Sequence, residues 1–118
     1  MPEIDKAQVY RKAAEVIVRD GKWRGSLTQQ GDCAWDLRNP ALKVCALGAC
    51  ARAEYELYGT LPEERGTNTY EAYAFKVAEL RKHGTYYREI YYVSDDLRYD
   101  AEDIALLLKK RADEVDAG

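Results

Sequence analysis

The chain has 118 residues, a formal net charge of −3, 47% hydrophobic and 33% charged side chains. That composition describes one globular domain with enough apolar surface for a core, and argues against global disorder. No apolar run approaches the roughly 18–20 residues that cross a bilayer, so no membrane span is expected.

Charge is unevenly placed. Residues 1–58 carry 9 basic and 8 acidic side chains, residues 59–93 carry 5 and 5, and residues 94–118 carry 4 and 8. An acidic C-terminal quarter repels phosphate, and nucleic-acid binders show a basic footprint, so neither DNA nor RNA is expected as a partner. Lys22, Arg24 and Arg38 are the one candidate for a local basic patch. The three cysteines, Cys33, Cys45 and Cys50, are odd in number and lack a C-x-x-C spacing, and the Met-Pro-Glu-Ile-Asp start does not read as a secretory signal. Free thiols in a reducing cytoplasm are the expectation.

The first predicted helix runs from about Glu3 to Arg19. Ala7, Tyr10, Ala14, Ile17 and Val18 recur at helical spacing, and Asp20-Gly21 ends it with a residue suited to a left-handed C-terminal position. Residues 22–38 form a loop with Trp23, Trp35 and Cys33. It is long for a compact domain, so it is either pinned by the tryptophans or holds a short β-hairpin, with Ser26-Leu27-Thr28 as one arm. Asn39 then reads as the N-cap, Pro40 as the first helical residue and Gly59 as the stop of a central helix over Asn39–Tyr58. Its apolar residues leave little polar surface, so it is expected to be buried on most sides. Gly48 inside it costs about 1 kcal/mol relative to alanine, which predicts that an aromatic ring or a crossing helix packs against that backbone.

Residues 60–68 read as a loop. Thr67 or Asn68 caps a third helix over Thr69–Lys82, with Tyr70, Tyr73, Ala74, Val77 and Leu80 on one stripe, and His83-Gly84 breaks it. Thr85–Val93 suits a short helix or a strand; the Tyr86–Ile90 spacing favours helix. Asp100 and Asp103 open the last helix with capping-box chemistry, and Lys109, Lys110 and Arg111 suit its far end. The expected fold is all-α: a single compact domain over residues 1–118 with four to five helices, the 22–38 loop being either pinned by its tryptophans or folded as the short hairpin.

Three segments carry a resemblance. Gly21-Lys22-Trp23 is followed by Gly25; Cys45-Ala46-Leu47-Gly48-Ala49 lies on a small-residue helix; Val93-Ser94-Asp95 precedes the apolar Ile104-Ala105-Leu106-Leu107. The pattern resembles a family of small uncharacterised proteins of actinobacteria and their bacteriophages. That family has a glycine-tryptophan loop, a Cys-x-x-Gly-Ala helix and a Trp-Asn-Asp turn nine residues before the first apolar position of the last helix. Val93 and Ser94 stand where the pattern has Trp and Asn. The resemblance implies a shared scaffold and a phage accessory protein or bacterial relative, and carries no activity with it.

Among chemical constellations, Cys45 or Cys50 with His83 as base and Asp95 or Asp96 as orienting carboxylate outlines a cysteine nucleophile. Within the predicted helix, however, Cys45 lies more than a turn past Pro40, where the dipole has faded, and a buried cysteine is a small hydrophobe. Cys33, Cys45, Cys50 and His83 lack the paired spacing of a zinc site. The run Asp95, Asp96, Asp100, Glu102, Asp103 lacks the glycine and terminal glutamate of a calcium loop and reads as a solvated capping segment. No cofactor is expected.

The aromatic content is the remaining anomaly: 10 tyrosines against 1 phenylalanine, seven of them between Tyr70 and Tyr99. Tyrosine packs like phenylalanine but tolerates one wet end, and adjacent pairs cannot all face one core. Tyr86, Tyr87, Tyr91, Tyr92 and Tyr99 are therefore the candidate protein-binding residues. The expected function is a non-enzymatic interaction protein whose partner is another protein, a bacterial host protein or a second copy of the chain. The alternative is a small cysteine-dependent enzyme.

Overall fold

The computed structural model describes residues 3–77 and 88–118. Among these residues, five α-helices and one two-stranded antiparallel sheet follow in the order α1 (Lys6–Asp20), α2 (Ala46–Tyr58), α3 (Thr69–Tyr73), β1 (Lys76–Val77), β2 (Arg88–Glu89), α4 (Ile90–Asp95) and α5 (Ala101–Ala117). Short 3₁₀ turns lie at Ala34–Arg38 and Pro62–Arg65. No helix among the described residues is long and apolar enough to cross a membrane.

Helix α1 packs along both α2 and α5. Its core face is Ala7, Val9, Tyr10, Ala13, Ala14, Val16 and Ile17. Val18, expected on that face, is 49% exposed. Asp5 caps the helix, its carboxylate accepting from the amides of Ala7 and Gln8. Gly21 closes it at φ +100° and ψ 150°, extended along the chain instead of left-handed helical, and a Cβ there would meet the Lys43 side chain at 3.0 Å. The chain thus turns directly into a bridge, in which Trp23 N donates to Val44 O at 2.9 Å and Val44 N to Gly21 O at 3.0 Å.

The central helix begins later than expected. Asn39 caps a local turn, its side chain accepting from Ala41 N at 3.0 Å, and the helical ladder starts only at Ala46 with Cys45 as N-cap. The reason is Arg52, one turn and a half into α2 and 1% exposed. Its guanidinium donates to the carbonyls of Leu37 (2.8 Å), Asn39 (2.5 Å) and Leu42 (2.8 Å), and to the Asp20 carboxylate (3.1 Å). These bonds hold the 37–42 backbone on α2 in a non-helical course, in which the Asn39 carbonyl also accepts from Leu42 N at 3.1 Å and so closes a tight turn instead of a helical one. Arg52 holds only the end of the long loop, at Leu37. The earlier part is tied by backbone bonds from Trp23 N to Val44 O, Gln29 N to Lys43 O and Cys45 N to Leu27 O, while Trp35 is 70% exposed and Trp23 37%. Gly59 ends α2 in the left-handed conformation, as expected.

The hairpin in this loop is reduced to one rung. Thr28 N donates to Gly31 O and Gly31 N to Thr28 O, at 2.9 and 3.0 Å. The loop then passes over α2, where Cys45 N donates to Leu27 O at 3.1 Å. Gly48 lies beneath that carbonyl. The close neighbour predicted for it is loop backbone, neither an aromatic ring nor a helix.

Helix α3 is much shorter than the Thr69–Lys82 expectation. Ala74 is extended at ψ 141°. Tyr10 OH donates to Tyr73 O at 2.9 Å, and Ile90 N to Phe75 O at 2.9 Å, so these carbonyls leave the helical ladder. The β1–β2 register pairs Lys76 with Glu89 and Val77 with Arg88. The Thr85–Val93 segment proves to hold both predicted states, β2 and then the start of α4; its first three residues, and Lys82 and His83, lie outside the described residues. A buried carboxylate fixes α3 to α2: Glu54, 0% exposed, accepts from Tyr73 OH at 2.5 Å, Thr60 Oγ1 at 2.9 Å and Arg65 Nη2 at 2.9 Å. Burial, then that hydrogen bond, holds the Tyr73 phenol far above its ordinary value. In α5 the Asp100/Asp103 capping box is present as predicted.

Candidate functional site

Of the five tyrosines singled out from sequence, two lie together at the surface. Tyr91 and Tyr92 follow the first residue of α4, with ring centroids 4.6 Å apart and planes at 46°. Tyr92 is 54% exposed, and the Arg88 guanidinium lies 5.7 Å from its ring. Tyr99 is 2% exposed and belongs to the core. Tyr86 and Tyr87 lie outside the described residues.

The structure adds Tyr70. Its ring meets Tyr91 edge-on at 5.8 Å and 73°, and it is 46% exposed. The three rings therefore form one row from α3 to α4, with Arg88 at its end. Burial first, then the nearby acidic groups, raise the Tyr70 phenol above its ordinary value. Tyr70 stands in the same run of tyrosines as the others, but it is remote in sequence from Tyr91. Only the reversal through β1 and β2 brings them together.

Beside this row the three segments of the sequence pattern converge. Ser94 is fully buried, and its hydroxyl accepts from Ala46 N at 3.0 Å, capping α2 from outside. The Asp95 carboxylate accepts from Gly25 N at 2.9 Å. Lys22 Nζ donates to Asp96 O at 2.9 Å and to Tyr99 O. The glycine-tryptophan loop, the N-terminus of α2 and the Val-Ser-Asp turn are thus one junction, and each polar group in it satisfies another part of the chain. A family model described as a family of unknown function, DUF6197, matches residues 1–114. The chain belongs to that family. No curated protein and no solved structure matches it.

The junction also relocates the cysteines. Cys45 is the N-cap of α2, not a residue one turn inside, and its Sγ accepts from Gly48 N at 3.4 Å. A helix N-terminus favours a thiolate, but burial dominates and pushes the Cys45 thiol up to about 11. Cys50, fully buried, is likewise raised well above its ordinary value by burial. Cys33 is exposed on the loop, and His83 lies outside the described residues. Among the described residues, no three His, Cys, Asp or Glu side chains gather as a metal ion requires.

The acidic run is largely spoken for: Asp95 by Gly25, Asp96 by Arg98 at 2.8 Å, Asp100 and Asp103 by the capping box. The basic patch is divided. Lys22 and Arg24 line one groove with Trp23, Lys43 and Leu97, although the Lys22 ammonium points inward. Arg38 lies in another, 4.7 Å from the Trp35 ring and 5.1 Å from that of Tyr55, and pairs with Glu64 at 3.2 Å.

Proposed function

We propose that this chain is a non-enzymatic interaction protein that binds another protein through the tyrosine row Tyr70, Tyr91 and Tyr92, with Arg88 at its end. The contiguity of the three rings on α3 and α4, with Tyr70 and Tyr92 exposed on either side of a half-buried Tyr91, carries the reading. Tyrosine and arginine are enriched where protein interfaces concentrate their binding energy, because they present large, stiff contact area with a polar tip. Tyr86 and Tyr87 remain part of the proposed surface; Tyr99 does not. The resemblance to phage-associated proteins makes a bacterial host protein in the cytoplasm the proposed partner.

The competing proposal, a cysteine-dependent enzyme, is favoured by the position of Cys45 at a helix N-cap and disfavoured by its buried, high-pKa thiol. One comparison separates the two. Tagged wild-type protein and the Tyr70→Ala, Tyr91→Ala and Tyr92→Ala variants are expressed in the native host and their captured proteins quantified. At least one substitution is expected to weaken capture of a specific partner about tenfold or more. Undiminished capture by all three variants, with a Cys45→Ser variant biologically inactive, overturns the interaction reading.

A further inference from the structure

Val18 on α1 and Leu106 on α5 are 49% and 65% exposed, and they lie side by side. Together with Glu102, Ala105 and Lys109 they line a groove of about 310 Å³ between the two helices. Val18 breaks the amphipathic pattern of α1, whose other apolar positions face inward. Val18 and Leu106 together make a short aliphatic stripe on the outside of the α1–α5 pair.

The charges around it follow an order. At about 100° per residue, Glu102 and Lys109 lie on the same flank of Leu106, and Asp103 and Lys110 lie on the other. Glu102 and Asp103 precede Leu106 by four and three residues; Lys109 and Lys110 follow it by three and four. The stripe is therefore acidic before its centre and basic after it, with the same offsets on both sides. A second α5 laid antiparallel across Leu106 meets it with opposite charge on both flanks. Glu102 of one copy faces Lys109 of the other, Asp103 faces Lys110, and the two-fold axis repeats both contacts. The same axis brings the two Leu106 side chains together, with Val18 of each copy beside them on the Glu102–Lys109 flank. Among the described residues, Glu102, Lys109 and Lys110 enter no ion pair within the chain.

We propose that the α1–α5 groove is a self-complementary interface, occupied by a second copy of this chain related by a two-fold axis through Leu106. The surface is separate from the tyrosine row, and the proposal stands independently of the binding partner proposed for that row.

Sedimentation equilibrium of the full chain over a wide concentration series tests it. Wild type is expected to pass from monomer to dimer and no further, since an isologous contact closes on itself. Leu106→Glu places like charges at the axis and is expected to weaken association by about a hundredfold. Glu102→Lys and Lys109→Glu each set like charges against one another and are expected to weaken it about tenfold. The double variant E102K/K109E restores opposite charges in reversed order and is expected to recover most of that loss. Circular dichroism melts verify that each variant is folded, because Glu102 also favours the start of α5. A wild type that stays monomeric throughout overturns the proposal, as does a dimer that Leu106→Glu leaves intact or whose charge variants fail to rescue one another.

Discussion

Gly48 lies so close under Leu27 that a Cβ built on it would stand 2.1 Å from the Leu27 carbonyl oxygen. That oxygen already accepts from Cys45 N, so it cannot withdraw without breaking the contact that seats the loop on α2. Gly48→Ala is therefore expected to destabilise the protein by about 2 kcal/mol or more, overriding the roughly 1 kcal/mol that alanine gains by helix propensity. Urea denaturation measures the sign; a variant more stable than wild type would remove the close approach from the account.

Ser94 supplies the acceptor for Ala46 N from a separate helix. Ser94→Ala leaves that amide buried and unsatisfied, with an expected loss of about 1–2 kcal/mol. Hydrogen exchange locates the effect: the first-turn amides of α2 should lose protection more than those near Tyr58.

Acid should loosen the loop at Asp20. Burial alone would raise this carboxyl, but its bonds to Arg19 and Arg52 outweigh that and hold it below its ordinary value. A group depressed in the folded state contributes stability that is full above its unfolded value, about 4, and lost as pH falls through the folded one. Wild-type stability should therefore decline below about pH 4. Asp20→Asn should cost about 3 kcal/mol at pH 7 by leaving Arg52 without its carboxylate, and the gap to wild type should narrow in acid. Urea midpoints at neutral and acidic pH decide it; a gap that is constant with pH would exclude Asp20 as the titrating group.

Thiol reactivity should be strongly graded. Cys33 is exposed, whereas Cys45 and Cys50 are buried with raised thiols. Because the thiolate is the reacting form, an alkylating reagent at about pH 7.5 should label Cys33 promptly in the native protein and the other two only on unfolding. Peptide mass spectrometry reads the order. Rapid native labelling of Cys45 would revive it as a nucleophile.

Where local chemistry decides structure, the sequence was readable. The Asp100–Asp103 box, the Gly59 stop and the apolar face of α1 up to Ile17 are all determined within one or two turns of chain. The failures have a common cause in long-range bonds. Asn39-Pro40 carries a good helix-start signal, but Arg52, 13 residues further along, draws the Asn39 carbonyl to its guanidinium, and that carbonyl closes a tight turn with Leu42 N instead of a helical one. Tyr73 has helical neighbours, yet Tyr10 claims its carbonyl from 63 residues away. The tyrosine run pointed to Tyr91 and Tyr92, which lie side by side, and also to Tyr99, which turns inward; it did not single out Tyr70, which only the chain reversal delivers. The loop is held by backbone bonds to residues 43–45 and, at its end, by the Arg52 guanidinium, neither of which the tryptophans signalled.

That guanidinium has a consequence for how the molecule opens. Besides its local turn bonds and the buried Leu37, the 37–42 segment sends three carbonyls to one side chain, and that side chain is rooted in α2. It therefore cannot fray residue by residue as a surface loop does. It stays shut until Arg52 is released, then lets go as one cooperative unit. Its opening free energy is borrowed from the central helix, so slow exchange should reach into a stretch of chain that has almost no regular secondary structure.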